Sequence, residues 1–532
     1  MSEQRFWGMK RLSASAMIVR GGVALAAIAS SLVLAWMLMS HAGFAHAAAQ
    51  VTPTPTATAP TTPAGPVNKV WYFAEGRVGK SFREYLTIDN PSATACAVNI
   101  GYDYQLDNAT TAGNKIVAVN VPANSRVTES VNNDLGIADT ATVGASLASV
   151  VAVNATSTPN CNGVVVERPE YFTNFSGIAS GTDVIGSTKL GTNFYFADVP
   201  EGTISGAKFA SFITILNPNN TQANLKFTFA QSGTATTQTL SVPANARGTF
   251  VGQYSGHMPM AVTSSQPVMI ERPTYFSNVN GINGAYDVVG TPTLANDWLF
   301  AEGYTGSSTQ EYLTIANIQT TGTAAANVTI ILKSAKGATN SYPVTVNANT
   351  QTIFNVNTNN TFTGSTPEVS AEVKSTGANI IVQREMYFTY KHTLSNTAIG
   401  GTDVIGQVGP AAHSSYSFSE GYSNTGYNEW LTIQNPTTTT ETIYLTLVNG
   451  DGKIFTENFA VTANSRFTLD ITATVHTAFN AGTSSTANSA SMTVQTLNGA
   501  VFVAERPMYW NTTGVSPFVT QGGTDVIGYI GG

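Results

Sequence analysis

The chain of 532 residues is short of charge: Asp, Glu, Lys and Arg make up only 10% of it, against roughly a quarter in ordinary globular proteins. Cysteine is scarcer still, with two residues, and histidine is limited to six. No run of like charges occurs, which excludes an acidic or basic interaction tail. Residues 1–49 carry Arg5, Lys10, Arg11 and Arg20 against Glu3, a net +3, so the remainder holds −10 of the formal −7. A body this acidic and this poor in Lys and Arg offers no counter-charge to phosphate and argues against a nucleic-acid partner. The histidines beyond residue 49 are His257, His392, His413 and His476, and none stands at metal-ligand spacing. Serine-nucleophile elbows, phosphate loops and dinucleotide fingerprints are also missing. The sequence therefore implies no catalytic residue, metal or cofactor. Low charge does not mean disorder here, because 42% of residues are apolar and 10% aromatic, enough to build packed cores.

The first 49 residues read as a signal peptide or an N-terminal membrane anchor. A basic start precedes the uncharged stretch from Gly21 to Met39, and the small-residue sites Ala45-His46-Ala47 and Ala47-Ala48-Ala49 follow. The apolar run is long enough to span a bilayer if it is not cleaved. Either way the rest of the chain lies outside the cytoplasm, secreted or held at the cell surface. Residues 50–69 form a Thr/Pro linker, with Pro53, Pro55, Pro60, Pro63 and Pro66 favouring an extended spacer. No sorting motif or apolar tail follows Gly528, so the expected membrane contact is N-terminal.

What is abundant is repetition. Glu167-Arg168-Pro169-Glu170-Tyr171-Phe172, closing on Gly181-Thr182-Asp183-Val184-Ile185-Gly186, returns three times. Arg272 leads to Asp287, Arg384 to Asp403 and Arg506 to Asp525, each Asp followed by Val-Ile-Gly or Val-Val-Gly. Each copy opens on an aromatic segment ending in Glu-Gly: Trp71 to Gly76, Phe194 to Gly202, Trp298 to Gly303 and Tyr416 to Gly421. Four such copies predict four units, at 70–190, 191–294, 295–409 and 410–532. Within them the apolar period is two. Leu86 and Ile88, Ile213 and Ile215, Leu313 and Ile315, and Leu431 and Ile433 alternate onto one face, and Asn-Pro or a similar turn ends the strand. Seven or eight short strands per unit, with no amphipathic helix, predict an all-β fold of four tandem β-sandwiches.

Strands ending in Asn-Pro, the turn Pro122-Ala123-Asn124-Ser125-Arg126 and the strand Glu505-Arg506-Pro507-Met508-Tyr509 resemble exported bacterial cell-surface proteins built from tandem immunoglobulin-like repeats. The resemblance covers residues 70–532 and implies architecture. Such families serve as stalks, adhesins and binding modules, which implies a structural or adhesive rod with other cells or polysaccharide as partners, the membrane being met through the N-terminal segment if uncleaved. An array of carbohydrate-binding modules is the alternative. Unit three departs most, with Glu385 in place of the proline and Asn347-Ala348-Asn349-Thr350 in place of the turn.

Four groups of residues stand out. Arg168, Arg272, Arg384 and Arg506 end apolar strands and need acceptors, for which Asp183, Asp287, Asp403 and Asp525 are the candidates. A structural ion-pair hub within each unit is the expectation, with a ligand clamp or cation site as the alternative. Glu75, Glu84 and Glu167 are the only carboxylates to weigh for glycoside hydrolysis, and Ser211 and Gln383 break the set in other units. Cys96 and Cys161, both in unit one, predict a disulfide in an exported chain. Tyr85, Phe212, Tyr312 and Trp430 lie on the strand face opposite the Leu/Ile pairs, placed either to stack on sugar rings or to pack at seams between units.

Overall fold

The computed structural model describes residues 65–531 apart from 232, 320, 321, 323, 363–366, 393–395, 410, 411 and 480–484. The leader or anchor and most of the linker lie outside the described residues. Among the described residues no helix is long and apolar enough to cross a membrane. The structure is all-β, with several antiparallel sheets.

Unit one shows the pattern. Its strands are β1 (Val70–Phe73), β2 (Arg77–Val78), β3 (Phe82–Asn90), β4 (Cys96–Leu106), β5 (Gly113–Val121), β6 (Ser125–Ser130), β7 (Ala145–Val153), β8 (Val165–Phe175) and β9 (Ile178–Ile185). One sheet runs β1-β7-β4-β5, with β2 beside β7, and the other runs β6-β3-β8-β9. The core draws on both: Ile100 and Val151 come from the first sheet, Leu86, Ile88 and Val166 from the second. In units three and four the same ladder order recurs, as 350–355, 309–317, 381–390, 398–405 and as 465–470, 427–435, 503–511, 521–527. In unit two the counterparts of β7 and β8 are one continuous strand, Met260–Val279, which pairs into both sheets.

The asparagine before each turn does more than start it. Asn90, Asn217 and Asn435 are fully buried. The Nδ2 of each donates to three carbonyls; for Asn90 these are Thr94 (2.8 Å), Val121 (3.2 Å) and Pro122 (2.9 Å). A buried amide satisfied in this way fixes the path between two strands. The short helices were not expected. Ile471–Phe479 is rich in β-branched residues, yet it is helical and buries Ile471, Val475 and Phe479 on one stripe.

The four closing strands (β9, Ile282–Val289, Ala398–Ile405 and Gln521–Ile527) are edge strands of their sheets and pack on one another in cyclic order, the last against β9. Edges turned inward in this way are protected from stray pairing. A β-carbon on Gly284 would lie 3.3 Å from the Gly400 Cα, one on Gly400 2.9 Å from the Gly522 Cα, and one on Gly522 2.9 Å from the Ser180 Oγ. Glycine is needed where backbones meet this closely. Gly400→Val is therefore expected to lower stability by about 1–3 kcal/mol, as overpacking does; an unchanged midpoint in denaturant unfolding would contradict the closed axis. The units thus form a ring rather than the rod that the repeats suggest.

Candidate functional site

Each seam of the ring is built from the repeat motif. Arg168 of unit one points into unit two, its Nη2 donating to Glu271 Oε2 (3.0 Å) and Asp287 Oδ2 (2.6 Å). Arg272 reaches Asp403 of unit three. Arg384 reaches Glu505 (2.8 Å) and Asp525 of unit four. Arg506 returns to Glu167 (2.9 Å) and Asp183 of unit one. All four arginines have no exposed surface. Around three of these pairs the same outer bonds recur. The amide of Ala74 donates to Glu271 Oε1 (2.7 Å), that of Ala301 to Glu505 Oε1 (2.7 Å) and that of Ser419 to Glu167 Oε1 (2.6 Å). The turn arginines Arg247, Arg466 and Arg126 bind Glu75, Glu302 and Glu420 of the neighbouring unit.

The pairing corrects the expectation of a hub within each unit. In the closing hairpin Arg168 stands opposite Val184, while Asp183 stands opposite Pro169. Neighbouring register positions point to opposite faces of a sheet, so an aspartate cannot meet its own unit's arginine. Arg272 with Val288, Arg384 with Val404 and Arg506 with Val526 repeat the geometry. The aspartate face of each unit closes the mouth of the unit before it.

Burial raises the carboxyls of Glu167 and Glu271 well above the usual range, and the arginine beside each offsets this only in part. Asp525 is raised in the same way. Buried ion pairs of this kind are weak sources of net stability. What they supply is geometry: an unpaired member is costly, so the ring closes in one register.

Seam two–three is where the departures collect. Gln383 replaces the glutamate, and its Oε1 accepts from the amides of Ala197 and Asp198 (3.0 Å). Gln351 replaces the turn arginine and donates to Asp198 Oδ1 (3.3 Å). Asp198, not Glu201, therefore occupies the place of Glu75. His257 Nδ1 lies 2.6 Å from Asp198 Oδ2 and supplies a cation there. Burial disfavours a charged His257, but the Asp198 carboxylate outweighs it and, with Glu385 behind, raises the imidazole to about 9. A histidine raised on folding contributes stability that is full below about 6.5 and is lost as pH rises through about 9. The expected result is a melting temperature for His257→Gln that falls less than the parent's between pH 8 and 10, by roughly 2 °C; parallel curves would contradict it.

Two of the carboxylates weighed for hydrolysis are engaged at seams. Glu75 is bound to Arg247 and Glu167 to Arg506. Glu84 is fully buried, and neither of its side-chain oxygens finds a hydrogen-bond partner among the described residues. Burial raises it well above the ordinary carboxyl range. Its counterparts Glu311 and Glu429 are pushed up by burial to about 8.

The four aromatics lie at seams. Phe212 packs near Phe175 of unit one (6.3 Å) and Tyr275 (6.0 Å). Tyr312 faces Tyr387 (6.4 Å). Trp430 is buried at 3% exposure and donates Nε1–H to Tyr390 Oη of unit three (2.8 Å). Tyr85 is partly exposed, 6.4 Å from Tyr171. They form no exposed row. Cys96, at the start of β4, is bonded to Cys161 in the loop before β8, with 5.2 Å between Cα atoms. Sequence reasoning missed Glu271, Glu505, Glu302, Glu420, Arg247 and Arg466 as seam residues. The available signal was that Asp198, Gln351 and Gln383 change together.

No family model and no curated protein matches the chain. Among solved structures it is similar to a calcium-binding mutant of Bacteroides uniformis beta-glucuronidase 2, at 10% identity and a TM-score of 0.10, over 44% of this chain and 27% of that one. The chain thus spans about a quarter of that enzyme's length. A tetra-tandem repeat in the extending region of a large adhesion protein is similar at 12% identity and a TM-score of 0.10, over 83% and 93% of the two chains. Dimeric latent PorU from Porphyromonas gingivalis is similar at 10% identity and a TM-score of 0.12, over 69% and 32%. Similarities at these scores carry no argument about function.

Proposed function

We propose that the chain is an exported, non-enzymatic surface protein: four immunoglobulin-like β-sandwiches, carried on an N-terminal leader or anchor and a Thr/Pro linker, that act as one closed structural or adhesive platform. The observation that carries this reading is the seam from Arg506 to Asp183, 323 positions apart. With its three counterparts it takes up the recurring arginines and aspartates that would otherwise be candidates for a ligand clamp or a cation site. The surface left over is neutral and hydrogen-bonding, as on the strand Thr234–Val242, whose Thr, Gln and Ser side chains are largely exposed. An array with one polysaccharide site per unit is the weaker reading, because Trp430 is buried and its counterparts differ in exposure. Cells producing the full-length chain are expected to attach to other cells or to polysaccharide-coated surfaces several-fold better than cells without it. Equal attachment would contradict the adhesive role, and release of soluble sugar from insoluble polysaccharide would contradict a non-enzymatic one.

A further inference from the structure

The tyrosines that follow the seam arginines do not end up alike. Tyr275, Tyr387 and Tyr509 are buried, at 6%, 3% and 3% exposure, whereas Tyr171 stays partly exposed. The difference lies in what the preceding unit lays over each ring. Phe175 stacks on Tyr275 at 3.9 Å and Tyr390 on Tyr509 at 4.0 Å. Val279 and Ile282 share one apolar cluster with Tyr387 and Tyr312. At the fourth seam the residue three places after Tyr509 is Thr512, whose hydroxyl turns away to the Phe518 carbonyl (3.0 Å). Among the described residues no ring then stacks on Tyr171. Tyr85, Tyr427 and Trp510 meet it edge-on, at 6.4, 6.5 and 5.2 Å.

The space left open is a cleft of 710 Å³ between units four and one, within the range of about 300–1,000 Å³ common for small-ligand sites. Its aromatic walls are Tyr85, Tyr171, Tyr422, Tyr427 and Phe518. Its two arginines are already engaged: Arg126 pairs with Glu420, and Arg83 pairs with Asp139 (2.8 Å) while lying over the Phe518 ring (4.0 Å). Among the described residues an anionic ligand would find no free cation there, and Glu129 in the lining would repel it. Aromatic rings offer apolar faces to a ligand, and tyrosine hydroxyls offer hydrogen bonds at the edges. Thr128 and Ser489 add further hydroxyls to the lining. Flat apolar faces ringed by hydroxyls match the chemistry of a neutral sugar.

We infer that this cleft binds a neutral oligosaccharide, with a sugar ring on Tyr171 in the place that Phe175 and Tyr390 hold at other seams. The site is made by two units together and exists only when the ring is closed. It goes beyond the platform reading, which needs no such pocket.

The test is titration calorimetry of the purified full-length chain with short neutral oligosaccharides of glucose, mannose and N-acetylglucosamine. Saturable binding is expected with at least one, weakened about tenfold by Tyr85→Ala, the factor that corresponds to about 1.4 kcal/mol. Thr128→Trp, at an exposed rim position on β6, is expected to abolish binding and leave the melting temperature unchanged. Failure of every sugar to bind, or binding that survives Thr128→Trp, would overturn the inference. Attachment assays on the parent keep the two readings apart: absent sugar binding by the parent with its attachment intact overturns the cleft and leaves the platform standing.

Discussion

Replacing Arg506 with alanine is expected to destabilise the whole body by about 3–5 kcal/mol, the usual cost of removing one partner from a buried ion pair. The guanidinium has no exposed surface and holds Glu167 and Asp183 of unit one. Its loss leaves two carboxyls facing each other without a cation, at the seam that closes the ring. Most of the cost is desolvation of the orphaned partners rather than lost attraction. Adding Glu167→Gln and Asp183→Asn to the variant should therefore recover a large part of it. Chemical unfolding of the three proteins reads the effect. An unchanged midpoint for Arg506→Ala would contradict the seam, and failure of the added amides to recover stability would contradict its cause.

The second large effect is expected from the disulfide. Cys96 and Cys161 close a loop with a sequence separation of 65, for which loop-closure entropy gives about 4 kcal/mol. Both sulfurs are buried in the core of unit one, and unit one contributes to the first and the last seam. Loss of the bond in a Cys96→Ala, Cys161→Ala variant should lower the melting temperature of the ring as a unit rather than shed one unit early. Reductant should shift the parent and leave the variant alone. A reductant effect of equal size on both would contradict the assignment.

Much of this architecture was legible in the sequence. The alternation of Leu86 and Ile88, or Leu431 and Ile433, predicts strands with one buried face, and those side chains are fully buried. The recurrence of Arg and Asp correctly marks residues that must be paired, because a guanidinium at the end of an apolar strand has to find acceptors. The choice of partner was not legible, for a reason of one residue. Counting back from Phe175 opposite Ile178 puts Asp183 opposite Glu170, on the same face as Arg168. A register shift between Phe172 and Phe175 moves Asp183 opposite Pro169 instead, and a one-residue slip turns a side chain to the other face of the sheet. The same shift lies between Phe276 and Val279. In units three and four the ladder runs without a shift and still sets Asp403 opposite Glu385 and Asp525 opposite Pro507, so the register, which leaves little trace in composition or period, decides that a pair expected within a unit becomes a bond between units. The open cleft was invisible for a related reason: Tyr85 carries no mark that separates it from Tyr312, and only the missing cover over Tyr171 does.

The most direct test of the closed ring is a pair of double-mutant cycles on Arg506, one with Asp183 and one with Asp525, read by equilibrium unfolding. The ring requires a coupling of about 1–3 kcal/mol between Arg506 and Asp183, and coupling near zero between Arg506 and Asp525. Coupling to Asp525 alone would mean that each unit pairs its own arginine and aspartate, and that units one and four never meet.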